Sequence, residues 1–337
     1  MLHFAASSIS SAFVWPEAGS FRRSISAAGT GGGRLRHDGG RAPTPFAVTD
    51  AATRNWVNDR VFPAASGLKD EQILEAIRQF GYSPFHFDPL ERTALFMLAV
   101  KCYLRSGIPV ILKIRYPDES FEAHAVTVVG FREETTVVEF KEPNWTCLSI
   151  RAKGLKRIYI HDDRLGPYAR AEWRIDEKGY IQIKYLPHED GYGGFCREAS
   201  IESAMVPVYP KIRLSAQDMI GFAGELLPLM RCIAGQESRD KLLLDLRFCL
   251  AGDCLEFLYS SDVPSNRFAD FARQAVLSRY VGLISFSVED KLLAHIICDS
   301  TDMRRNVPAP APLLAIIPQY KEHIDVLRKY KPEAIVL

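Results

Sequence analysis

The sequence has no surplus of charge of either sign: 42 Lys and Arg stand against 41 Asp and Glu, for a net charge of +1. A general nucleic-acid binder is excluded on that ground, because neutralising a run of phosphates takes an excess of positive charge. There is also no apolar run near the roughly 20 residues that a membrane-crossing helix requires. The longest beside a helix signal, Ala94 to Val100, is far too short, so no membrane partner is expected. Cysteine occurs without a pattern. The seven residues, at positions 102, 147, 196, 232, 249, 254 and 298, form no CxxC pair and are odd in number. That excludes the disulfide framework of a small secreted domain. A reducing compartment, the cytoplasm, is expected, with thiols packed as small hydrophobes. Cys249 and Cys254 have no His at a compatible spacing, so neither a metal nor a cofactor is expected.

What is present is ordinary globular material. Hydrophobic residues make up 47% and charged residues 25% of 337, enough for a sizeable core and a prior of roughly two domains. Residues 1–48 differ from the rest. They hold Arg22, Arg23, Arg34, Arg36 and Arg41, no Lys, and a glycine-rich stretch from Ala27 to Gly33 that favours neither helix nor strand. This stretch is expected to be a disordered, leader-like or mistranslated segment. From Thr49 a capped helix is expected to run to Asn58. A second follows from Lys69 to a stop at Gly81, and a third from Asp88-Pro89 to Gly107. The period then changes from 3.6 to 2. Strands are expected at Pro109 to Arg115, His124 to Phe131, Thr136 to Phe140, Leu155 to His161 and Tyr180 to Tyr185. Arg132-Glu133-Glu134 reads as a hairpin loop. Helices followed by antiparallel strands predict an α+β domain over 49–205. A second α+β domain is expected over 206–337. Its helices are expected at Ser215 to Ala234, Ser265 to Ser278 and Gln319 to Lys329. Its strands are expected at Tyr280 to Ser287, Leu292 to Cys298 and Leu313 to Ile317.

Three segments carry candidate chemistry. Ser106-Gly107-Ile108-Pro109-Val110-Ile111-Leu112 leaves a helix for a buried strand. Ala123-His124-Ala125-Val126-Thr127-Val128-Val129-Gly130 puts a histidine at a strand mouth. Ile158-Tyr159-Ile160-His161-Asp162-Asp163-Arg164-Leu165-Gly166-Pro167-Tyr168 ends a strand in an acidic turn. This order resembles the papain-like cysteine peptidases, closest to the bacteriocin-processing (double-glycine leader) peptidase-like group. The resemblance spans residues 49–175 and is densest over 106–168. It implies a papain-like fold acting on peptide bonds, with His124 as base and Asp162 as orienter. His161 and Asp163 are the nearest competitors for those roles. A thiol becomes nucleophilic when an imidazole takes its proton, and a carboxylate holds that imidazole in the right tautomer.

The nucleophile departs from the pattern. No cysteine precedes Cys102, which sits on a buried helical stripe and reads as core, and no Gln stands before a cysteine. Either the nucleophile helix is missing from the chain or the domain is an inactive relative that binds or scaffolds peptides; a peptide or protein partner is expected in both cases. Without the resemblance, His124 reads as a core histidine, and Asp162 and Asp163 as turn formers capping backbone N–H groups. In the second half, Arg267, Arg304 and Arg305 are candidates to clamp an acidic partner or carboxylate. Oligomeric state is not legible.

Overall fold

The computed structural model describes residues 44–54, 68–89, 93–117, 123–141, 149–176, 180–186, 198–235, 238–260, 277–289, 291–301, 313–318 and 335–336. The chain divides into two compact units. One holds the described residues of Arg36–Glu134 and Leu155–Pro210; the other holds those of Thr135–Gly154 and Lys211–Leu337.

In the first unit the Thr44 hydroxyl caps α1 (Pro45–Thr53), accepting from the Ala47 amide at 3.2 Å, so the helix begins at Pro45 rather than Thr49. Helix α2 (Asp70–Gln79) buries Ile73, Ala76 and Ile77 against Val48, Ala51 and Ala52 of α1, and both lie over Ile111, Ala125 and Met205. After β1 (Ser83–Phe87), α3 (Thr93–Arg105) buries Phe96, Leu98, Cys102 and Tyr103. Phe96 stacks on Trp173 with ring centroids 6.2 Å apart. Gly107, at φ +77°, takes a backbone conformation that few other residues tolerate and turns the chain into β2 (Val110–Arg115).

The strands that follow are β3 (Ala123–Lys141), β4 (Ser149–Asp162), β5 (Gly166–Ile175), β6 (Ile181–Tyr185) and β7 (Glu198–Val208). Their order is β7-β2-β3-β4-β5-β6, and β6 pairs back onto β7, closing six antiparallel strands into a barrel; β1 also pairs with β7. The expected papain-like, helix-then-sheet α+β fold is therefore overturned: strand outweighs helix and the sheet closes on itself. The reason lies in β5 and β7, which the sequence pattern did not isolate and which supply the closing pairs. A second difference lies at Arg132-Glu133-Glu134, which stays inside the single long strand β3 instead of making a hairpin loop. Its charges are paired sideways: the Glu133 carboxylate sits 2.9 Å from Lys101 Nζ and 3.0 Å from Arg105 Nη1, both on α3.

The second unit packs α4 (Ala216–Ala234) on a five-stranded sheet of order β12-β11-β10-β9-β8. The strands are β8 (Leu242–Leu250), β9 (Tyr280–Val288), β10 (Lys291–Asp299), β11 (Leu313–Pro318) and β12 (Ile335–Val336). Helix α5 (Ala251–Ser260) follows β8. The helix expected from Ser215 is present, capped by the Ser215 hydroxyl and continuous through Pro228. Strands β9, β10 and β11 fall where the alternation placed them, whereas the helix expected at 319–329 and residues 265–276 of the one expected at 265–278 lie outside the described residues; Leu277 and Ser278, which are described, are not helical. Helix α4 approaches β9 at Gly282, where an added Cβ would stand 2.9 Å from Met219 Sδ and 3.2 Å from Leu214 Cδ2. Gly282→Ala is thus expected to lower stability by about 1–3 kcal/mol, read as a fall in the urea midpoint at unchanged slope. No helix among the described residues is long and apolar enough to cross a membrane.

Candidate functional site

Antiparallel pairing brings the end of β2, the start of β3, the end of β4 and the end of β6 to the same end of the barrel. Strand alternation then decides what faces inward. Ile111 and Ala125 face the helices, so their neighbours Leu112, Ile114, Val126 and His124 face the interior. On β4, Ile158, Ile160 and Asp162 form the buried series, and on β6 Ile181, Ile183 and Tyr185 do the same. The apolar members fill the barrel. His124, Asp162 and Tyr185 meet at its end.

His124 Nε2 lies 3.0 Å from Asp162 Oδ1 and 3.2 Å from Asp163 Oδ1. The Asp162 carboxylate also accepts from the Tyr185 hydroxyl, at 2.7 Å on Oδ2, and from the Arg164 backbone N–H, at 2.9 Å on Oδ1. Asp162 therefore both orients the imidazole and makes the Asx turn from β4 into β5; the two roles the residue type permits are filled together. Tyr116, just after β2, stacks beside the His124 and Tyr185 rings with centroids 6.3 and 6.5 Å apart, and the Arg164 guanidinium lies 5.7 Å from its ring centre. The turn is completed by Gly166 at φ +91° and Tyr168 at φ +62°, a conformation uncommon for a residue with a side chain.

The electrostatics follow from this packing. Burial works against a charge on His124, but the hydrogen bonds and negative charges of Asp162 and Asp163 outweigh it and hold the imidazole up to about 9. At neutral pH the ring is an imidazolium, so at rest it donates a proton rather than accepts one. Burial likewise opposes ionisation of Asp162, yet the bonds from His124, Tyr185 and the Arg164 amide keep its carboxyl below the usual range. The Tyr185 hydroxyl is pushed well up, by burial first and then by the Asp162 charge, so it remains a donor.

The other candidates are placed elsewhere. His161 points away from the series formed by Ile160 and Asp162, meets the Tyr168 ring edge-on at 4.8 Å, and is held low by burial. Cys102 is buried on α3, where its backbone carbonyl accepts from the Ser106 hydroxyl at 2.6 Å. The cluster of His124, Asp162 and Asp163 contains no cysteine. Arg267, Arg304 and Arg305 lie outside the described residues, as do Cys147 and Cys196. Tyr185 and Tyr116 were not anticipated from sequence. The only prior signal was that each borders a strand end, and their convergence on Asp162 and His124 depends on the barrel's closure. In comparisons with known proteins, no family model and no curated protein matches this chain.

Proposed function

We propose that the barrel carries a hydrolase-type acid–base site acting on peptide bonds, with His124 moving the proton and Asp162 holding the ring. The observation that carries this reading is the buried relay from Tyr185 to Asp162 to His124 Nε2. It leaves Nδ1 as the nitrogen to face a reacting group, for no described residue hydrogen-bonds it. In such a site a thiol attacks as the thiolate, its proton already on the imidazole, and the imidazolium returns that proton to the leaving amine. The substrate class rests on the order of the segments over residues 106–168 alone, since the papain-like fold that this order implied is not the one the chain adopts.

A second reading, a non-catalytic peptide-binding or scaffolding module, is favoured by one observation: among the described residues no thiol joins the cluster. Reaction of the full chain with an epoxide inhibitor directed at cysteine separates the two. Saturating label at one mapped cysteine, lost in His124→Gln with the fold retained by circular dichroism, is the expected result. Absence of label, with peptide binding intact, overturns the enzymatic reading in favour of the module.

A further inference from the structure

We propose that His124, Asp162 and Asp163 form a binding site for one divalent transition-metal cation of the zinc and cobalt class. Three donor atoms converge. Nε2 of His124 is 3.0 Å from Asp162 Oδ1 and 3.2 Å from Asp163 Oδ1, and one ligand atom from each of the three residues lies within 4.8 Å of the others. Ligands bound at about 2.0–2.2 Å to a common ion stand roughly 2.9–3.4 Å apart at octahedral to tetrahedral angles. Both separations from Nε2 to the carboxylates therefore already match those of neighbouring ligands, and an ion would enter by displacing the hydrogen-bonded proton between them.

The donor chemistry selects the cation. One imidazole nitrogen with two carboxylate oxygens suits zinc, cobalt or manganese, whereas calcium and magnesium favour all-oxygen sites. Charge points the same way: with an imidazolium the trio carries one net negative charge inside the barrel end, and with a neutral imidazole and a divalent ion it carries none. The surroundings are those of a held ligand. The Tyr185 hydroxyl fixes the Asp162 carboxylate from behind at 2.7 Å, and the side chains of His124, Asp162 and Asp163 are 6%, 0% and 4% exposed. Three protein ligands leave a coordination position for water or substrate.

This inference goes beyond the acid–base reading and opposes it in one respect: a cation on Nε2 takes the place of the proton held there. Metal binding and proton transfer by His124 therefore exclude one another, and a bound ion would inhibit.

The test is a titration of cobalt(II) into the reduced full chain, followed by visible absorption. The expected result is one tight equivalent with the weak bands of a nitrogen and oxygen set and no thiolate charge-transfer band. Asp163→Asn, which leaves the bond between His124 and Asp162 in place, should weaken it by about tenfold or more, since even partners of metal ligands cost that much. His124→Gln, checked for folding by circular dichroism, should remove it. No tight equivalent, one with a thiolate band, or one unchanged in both variants overturns the site. Epoxide labelling of Asp163→Asn reports on the acid–base reading separately, so either proposal can fail alone.

Discussion

Asp162→Ala is expected to cost about 3–5 kcal/mol of stability, the loss typical when one partner of a buried ion pair is removed. Three donors depend on this carboxylate: His124 Nε2, the Tyr185 hydroxyl and the Arg164 amide. Asp163 remains 3.2 Å from His124 and retains part of the imidazolium's compensation, but Tyr185, buried in the barrel, loses the carboxylate it donates to. Asp162→Asn keeps the shape and one acceptor oxygen, so its loss should be smaller. Urea unfolding of both variants measures the difference. A midpoint for Asp162→Ala within error of wild type would show that the network contributes nothing to the fold.

Stability should also fall as pH rises from about 6.5 to about 9. His124 titrates near 9 when folded, against 6.5 for the free side chain. The folded state thus holds a proton that the unfolded chain releases. The stabilisation is fully present below about 6.5 and is lost as pH climbs through the folded value. At about 1.4 kcal/mol per pH unit across that window the loss is about 3 kcal/mol. Asp162 acts at the other end of the scale: its lowered carboxyl stabilises the fold above the usual carboxylate value, and that contribution disappears as pH falls through the folded one. His86, raised by its bond to Asp70, contributes a slope of the same sign as His124. The decisive measurement is therefore the difference between wild type and His124→Gln in urea midpoints at pH 6.5, 8 and 9.5. A difference that stays constant across the three would exclude a proton held at His124.

How much of this was legible follows from the range of the interactions involved. The alternation around His124 and the strand ending at Asp162 are local patterns that by themselves read as a core histidine and a turn former; it was the resemblance that paired these two side chains, which the structure puts 3.0 Å apart. Asp163 was noted as a competitor, but its convergence on the same nitrogen depends on the turn geometry, which residue types alone do not fix. The barrel was not legible. Its closure needs β7 to pair with β2 on one side and β6 on the other, contacts between residues 111–115 and 200–205 and between 182–184 and 198–200. Neither β5 nor β7 offered a run that the pattern reading isolated, and without them the strands read as an open sheet behind helices. Glu133 shows the opposite failure. Three consecutive charges looked like a loop because the partners of the middle one, Lys101 and Arg105, lie on a helix earlier in the chain.

Strand β7 meets β2 along one flank, and along the other it meets β6 at residues 198–200 and β1 at 204–208. Its amides are consequently expected to be among the last to exchange with deuterated solvent. The same feature sets the timing of assembly during translation. Every partner of β7 is made before it, so a nascent chain stopped short of residue 198 exposes strand edges that nothing yet covers, and the ring can shut only when the ribosome has released that final stave.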